Sequence, residues 1–301
     1  MKLLVLIPLI ILSLSSFGAN LSCLKHYEIN SIQFYGPINS KHKQLIVDAV
    51  KNVNQVHQNE EPIRNIRFEI VSDNRFAGGE AHLSESLISI QKHSFNLPPK
   101  EFQALIEHEV NHLFVARNFT SPNKKTSLVE YLQRYKDDPE RTFMATENHA
   151  IFAELLCDLV SILNHRNPKI FKSLHEQLIN VLPQDVSQKL SQSLKNNEPI
   201  ELSMRDFSIN PTDPKWRTFN PKSGVIYHRF NQIRAHLWNK WISKLPKEMN
   251  ALFYQTIEKT FNEIQQQVYF ESLFLQTDLY SLNKELMDIL DNKIAVALKK
   301  H

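Results

Sequence analysis

The chain has 301 residues, 42% hydrophobic and 22% charged, enough to bury a sizeable core in one large or two small domains without help from a metal or a disulfide. Its formal charge is +3, and the lysines and arginines are scattered rather than blocked, which argues against nucleic acid as a partner. Five glycines in the whole chain favour long helices. The two cysteines, Cys23 and Cys157, form no disulfide framework.

In chain order, Met1-Lys2 precedes an almost unbroken apolar run from Leu3 to Leu14 and then small residues up to Asn20. This reads as a secretory signal peptide over 1–19, too short for a good membrane span. A periplasmic or secreted chain is expected. Membrane proximity would follow only from an uncleaved signal or from lipidation at Cys23. Asn20 stands where a lipoprotein signal has an aliphatic residue, so lipidation is the weaker reading.

Ser31–Tyr35 alternates as a strand does, Lys41–Val56 has helical spacing, and Ile66–Val71 alternates again, which predicts β-α-β. Gly78-Gly79 reads as a turn and Leu87–Ile90 as a third strand. Asn96-Leu-Pro-Pro-Lys-Glu101 is a helix start, and Phe102, Leu105, Ile106, Val110, Leu113 and Phe114 form an apolar stripe behind it. A polar loop from Asn118 to Arg141 leads to a helix over Thr142–Leu163, in which Cys157 is a core position. Ile170–Val181 and Val186–Leu194 are short helices split by Pro183. Asn196–Gly224, with Pro199, Pro211, Pro214 and Pro221, is expected as a long surface loop and a candidate lid. Helical spacing resumes over Tyr227–Ile242, and the tail carries two amphipathic helices. The expected class is α+β: a small N-terminal sheet, active-site helices and a largely helical C-terminal part.

Within the first long helix stands Ile106-Glu-His-Glu-Val-Asn-His112. Residues four apart share a helix face, so His108 and His112 can aim both imidazoles at one ion, and zinc accepts two nitrogens and an oxygen. Glu109, one residue further round, can take a proton from a zinc-bound water. Chance would write H-E-x-x-H roughly 0.04 times in such a chain. The next helix repeats the spacing with acids, Glu154 and Asp158, in an otherwise apolar stretch. Buried acids need a cationic partner. Zinc and a ligand histidine supply one, with Glu154 as third ligand and Asp158 behind a histidine. Glu147 and His149 are rivals for the ligand role, each without an acid four residues on.

HEVNH followed by E-x-x-x-D resembles the gluzincin metallopeptidases, and within them the group of CAAX prenyl proteases, HtpX-like proteases and periplasmic quality-control peptidases. That group carries T-H-P-P-x-x-x-R-I after the acid helix. Tyr227-His-Arg-Phe-Asn-Gln-Ile-Arg-Ala235 reproduces the histidine-to-arginine spacing, at His228 and Arg234, without the prolines or the threonine. The resemblance covers about residues 66–240 and implies a zincin-like fold; the expected domain runs over 24–245, with 246–301 as a helical extension. It implies Zn2+ on His108, His112 and Glu154, and peptide hydrolysis with Glu109 as base. His228 would steady the oxyanion, with Tyr227 as a substitute and Arg234 placing it or the substrate. A protein or peptide substrate would lie along a sheet edge at Leu87–Ile90. The competing reading is a zincin-derived module that keeps zinc and acts by binding, chaperone-like, without catalysis.

Overall fold

The computed structural model describes residues 26–29, 31–58, 61–72, 78–83, 85–118, 137, 139–195, 202, 204–219, 228–267 and 278–300, with the backbone alone at 26–29, 139–151, 190, 193–195 and 265–267. The expected signal segment, Cys23, Tyr227 and most of the expected 118–141 loop lie outside them.

The molecule is α+β. Five strands, β1 (His26–Ile29), β2 (Ile32–Tyr35), β3 (Ile66–Val71), β4 (Gly79–His82) and β5 (Leu87–Gln91), form one sheet in the order β1-β2-β3-β5-β4. β2, β3 and β5 run parallel, while β1 and β4 flank them antiparallel. The expected β-α-β unit is present: α1 (Ser40–Val56) joins β2 to β3, and the Asn39 side chain accepts the His42 amide at 2.9 Å to cap it. Alternation in β2 and β3 puts Ile32, Phe34, Ile66 and Phe68 on the buried face.

Two expectations about this sheet are corrected. Leu87–Gln91 is an interior strand with all five residues buried, so it offers no free edge. Gly78-Gly79 is not a turn: Gly79 opens β4, the strand that does form the edge.

α2 (Pro99–Asn118) is the central element, packed against α1, α3 (Pro139–His165), α4 (Ile170–Val181) and β4. Its predicted stripe, Phe102, Leu105, Ile106, Val110, Leu113 and Phe114, is buried throughout. A helix enclosed this fully must also satisfy its polar residues. Glu107 accepts from Asn52 at 2.8 Å and lies 3.2 Å from His165. Asn111 pairs with His57 at 2.8 Å and donates to the Tyr254 hydroxyl at 2.8 Å.

α5 (Gln184–Lys195) follows α4 after Pro183, as the sequence predicts. α6 (Asn231–Lys240), α7 (Asn250–Gln267) and α8 (Leu279–Leu298) complete the helices among the described residues. Asp291 of α8 gathers His236, Lys240 and Trp241 at 2.9, 2.6 and 2.7 Å, which pins α6 in place. The tail helices carry Phe253, Tyr254, Ile257, Phe261, Leu286 and Leu290 into the same continuous core as α1 to α4. Cys157 is buried and free.

The described part of the expected surface loop is packed down instead. Leu202, Phe207, Trp216 and Phe219 are buried, and the Phe207 amide donates to the Pro168 carbonyl at 2.9 Å. Burying one such side chain contributes roughly 1.5–3 kcal/mol, so raising this segment as a lid would expose several times that.

Candidate metal centre

Helical spacing on α2 and α3 brings the two motif pairs face to face. His108 Nε2 lies 3.1 Å from His112 Nε2 and 3.4 Å from Glu154 Oε2, and His112 Nε2 lies 3.5 Å from Glu154 Oε1. Each of the three residues offers a ligand atom within 4.8 Å of the other two, and among the described residues they are the only such group. Donor atoms about 2.0–2.1 Å from a tetrahedral zinc stand roughly 3.3–3.4 Å from one another, so this spacing fits the edges of one coordination sphere. Zinc suits two imidazoles and a carboxylate with a fourth position left for water.

Behind the ligands, His108 Nδ1 stands 3.0 Å from Asp158 Oδ1, with Asp158 fully buried. The acid thus favours the proton on Nδ1 and leaves Nε2 to face the site. Burial by itself would lower the His108 pKa, but Glu154 and Asp158 outweigh it and raise it to about 10. Burial also pushes the carboxyl of Glu154 upward, and His108, His112 and Arg205 reverse this and hold it well below the usual range. Asp158 is lowered despite burial, by Arg205, Arg234 and His108.

Glu109 is buried beside the ligands on the sheet side. A Cβ on Gly79 would sit 2.8 Å from Glu109 Cγ and 3.3 Å from its Oε1. Only a residue without a side chain lets β4 and Glu109 approach this closely. Burial is the largest influence on Glu109 and raises its pKa, against the pull of His108 and His112.

Arg234 is buried, with Nε 2.7 Å from Asp158 Oδ2 and Nη1 donating to Asn231 Oδ1 at 3.2 Å. The Asn231 amide nitrogen donates to the Leu202 carbonyl at 2.7 Å and meets His228 Nδ1 at 3.3 Å. Those partners fix the Asn231 amide, so His228 Nδ1 accepts and Nε2 carries the hydrogen. Burial lowers the His228 pKa well below its ordinary value, helped by Arg205, His175 and Arg234. His228 is therefore a neutral donor linked to Asp158 through Asn231 and Arg234. Tyr227 lies outside the described residues, as do the side chains of the rivals Glu147 and His149.

Two site residues escape a reading of the sequence. Arg205 is buried with Nη2 2.9 Å from Glu154 Oε2 and Nη1 3.0 Å from Asp158 Oδ1, its guanidinium 5.8 Å from the centre of the Phe171 ring. His175, one turn beyond Phe171 on α4, donates Nδ1–H to the Phe171 carbonyl at 2.8 Å. Burial and the charge of Arg205 lower its pKa to about 4. Neither residue stands in a motif. Only the tertiary fold carries Arg205 across about fifty positions to the acid helix. No family model, curated protein or solved structure matches the chain.

Proposed function

We infer that the protein is an exported zinc endopeptidase of gluzincin type, acting on protein or peptide substrates. The reading rests on His108, His112 and Glu154, whose facing atoms lie within 4.8 Å of one another, close enough to share one ion, with Asp158 on the outer nitrogen of His108. A zinc ion held by His108, His112 and Glu154 supplies a water of lowered pKa, near 7, and polarises a carbonyl oxygen.

The chain's own residues support the rest of the reaction. Glu109 accepts the proton of the attacking water and returns it to the leaving nitrogen. His228 offers Nε2–H to the developing oxyanion, and the run through Asn231 to Arg234 keeps the imidazole in that tautomer. A substrate strand has a place on the free edge of β4. The Gln91 amide donates to the Gly78 carbonyl at 2.9 Å, so the antiparallel alternation turns the backbone groups of Gly79 and Ala81 outward. A peptide paired there would run alongside the strand whose Gly79 lies against Glu109.

Glu109→Gln tests the mechanism. The variant is expected to keep about one zinc per chain and to lose casein cleavage by three orders of magnitude or more, while a chelator abolishes wild-type cleavage. Cleavage at the wild-type rate by Glu109→Gln would sink it. One tightly bound zinc with no cleavage by the wild type would favour the zinc-retaining binding module.

A further inference from the structure

Arg205 has no part in the steps above, yet among the described residues it is the cationic side chain closest to the candidate ligands. Its two terminal nitrogens each take a different carboxylate, Glu154 at 2.9 Å and Asp158 at 3.0 Å. A guanidinium fork can bridge two acids in this way, whereas a lysine ammonium, a single point, cannot hold the same geometry. The residue is buried and has φ of +48°, a conformation that non-glycine residues adopt only where contacts hold them.

Its neighbours along the chain are held on several sides. Phe207 is buried two residues on, its amide tied to Pro168 at 2.9 Å. Asp206 lies 3.6 Å from Lys172. Asn239 donates to the carbonyls of Phe207 and Ile209 at 3.2 and 3.1 Å. The segment is thus built to deliver one guanidinium to the acid pair.

The acid pair has two claimants. Glu154 and Asp158, buried one turn apart on α3, need positive charge to stay ionised in the interior, and a divalent ion on Glu154 would provide it. Arg205 already provides it to both acids from the chain itself, while Arg234, 2.7 Å from Asp158, serves that acid. Two cations on the same carboxylate repel each other, so each lowers the benefit of the other.

Resting on the reading of His108, His112 and Glu154 as a metal site, we propose that Arg205 is the internal counter-cation of that site. It compensates Glu154 and Asp158 in the metal-free chain, lets the protein fold before metal is loaded, and competes electrostatically with the ion for Glu154.

The test is a thermodynamic cycle on the full-length mature protein, with Arg205→Met and Arg205→Lys, each unfolded by heat with and without Zn2+, and with zinc affinity measured against a chromophoric chelator. Arg205→Met is expected to tighten zinc binding about tenfold and to lower the metal-free midpoint by about 10 °C, with the zinc-loaded midpoint falling by a few degrees less, as the tighter binding requires. Arg205→Lys, which keeps the charge but reaches one acid, should fall between, and it carries the test if Arg205→Met does not fold. Equal losses with and without zinc and an unchanged affinity would reduce Arg205 to a packing residue and overturn the proposal. Weaker zinc binding in both variants would also overturn it, making Arg205 a positioning residue for Glu154. A wild type that takes up no zinc defeats the metal reading itself, a result separate from either of these.

Discussion

A missing side chain at Gly79 shapes the site as much as any side chain present. Glu109 must lie between the ligand histidines and the edge strand, and the 2.8 Å that a Gly79 Cβ would leave to Glu109 Cγ is closer than real contacts of this kind allow. Gly79→Ala is expected to swing Glu109 away from its place. Because a displacement of about 1 Å at a catalytic group can cost about 100-fold, turnover should fall by that order while zinc content and the thermal midpoint change little. Gly78→Ala is the control: its Cβ would meet Leu105 Cδ1 at 3.1 Å, the end of an aliphatic side chain that can yield. Steady-state kinetics on both variants decide it, and wild-type turnover in Gly79→Ala would mean that Glu109 is not held where the chemistry needs it.

The elements that hold these residues differ in how openly the sequence announced them. His108 with His112, and Glu154 with Asp158, are each one turn apart on a helix whose apolar stripe is plain, so both pairs were legible from local periodicity. That the pairs meet was legible only through charge, since buried acids require a partner. β4 was not legible, because four residues beginning with glycine look like a turn, and only pairing with β5 makes them a strand. The surface-loop expectation for 196–224 failed in its described part for a related reason: Leu202, Phe207, Trp216 and Phe219 have no period, yet each finds its own pocket. Arg205 was invisible because nothing local distinguishes it. Binding of an uncleaved peptide to Glu109→Gln should slow hydrogen exchange of the Gly79 and Ala81 amides, which face the free edge, more than that of amides inside β3. Protection elsewhere with β4 unchanged would remove the strand-pairing mode of binding.

For the molecule as a whole, opposing titrations around one buried centre should give the metal-free protein a stability maximum near neutral pH. His108 is raised to about 10 in the fold against 6.5 unfolded, so the stability it lends is complete below 6.5 and is lost as pH climbs from there to 10. His175, lowered to about 4, and His228, lowered well below 6.5, act in the other direction. Each is kept neutral in the fold while the unfolded chain takes up a proton, so stability falls as pH drops below 6.5. Glu154 and Asp158, both lowered, extend that acid loss, since their contribution is present above 4.5 and 3.8 and disappears as pH falls through their folded values. The two limbs meet near pH 6.5. Zinc acts on both. A ligand imidazole gives up the proton on the nitrogen that binds the ion, so loading should replace the protonated His108 by a bound one and flatten the alkaline limb, leaving the acid limb steep because protons displace metal there. Thermal midpoints measured from pH 4 to pH 10 with and without zinc test this. Parallel curves offset by a constant would mean that His108 does not exchange a proton for the metal, and that the ion binds elsewhere.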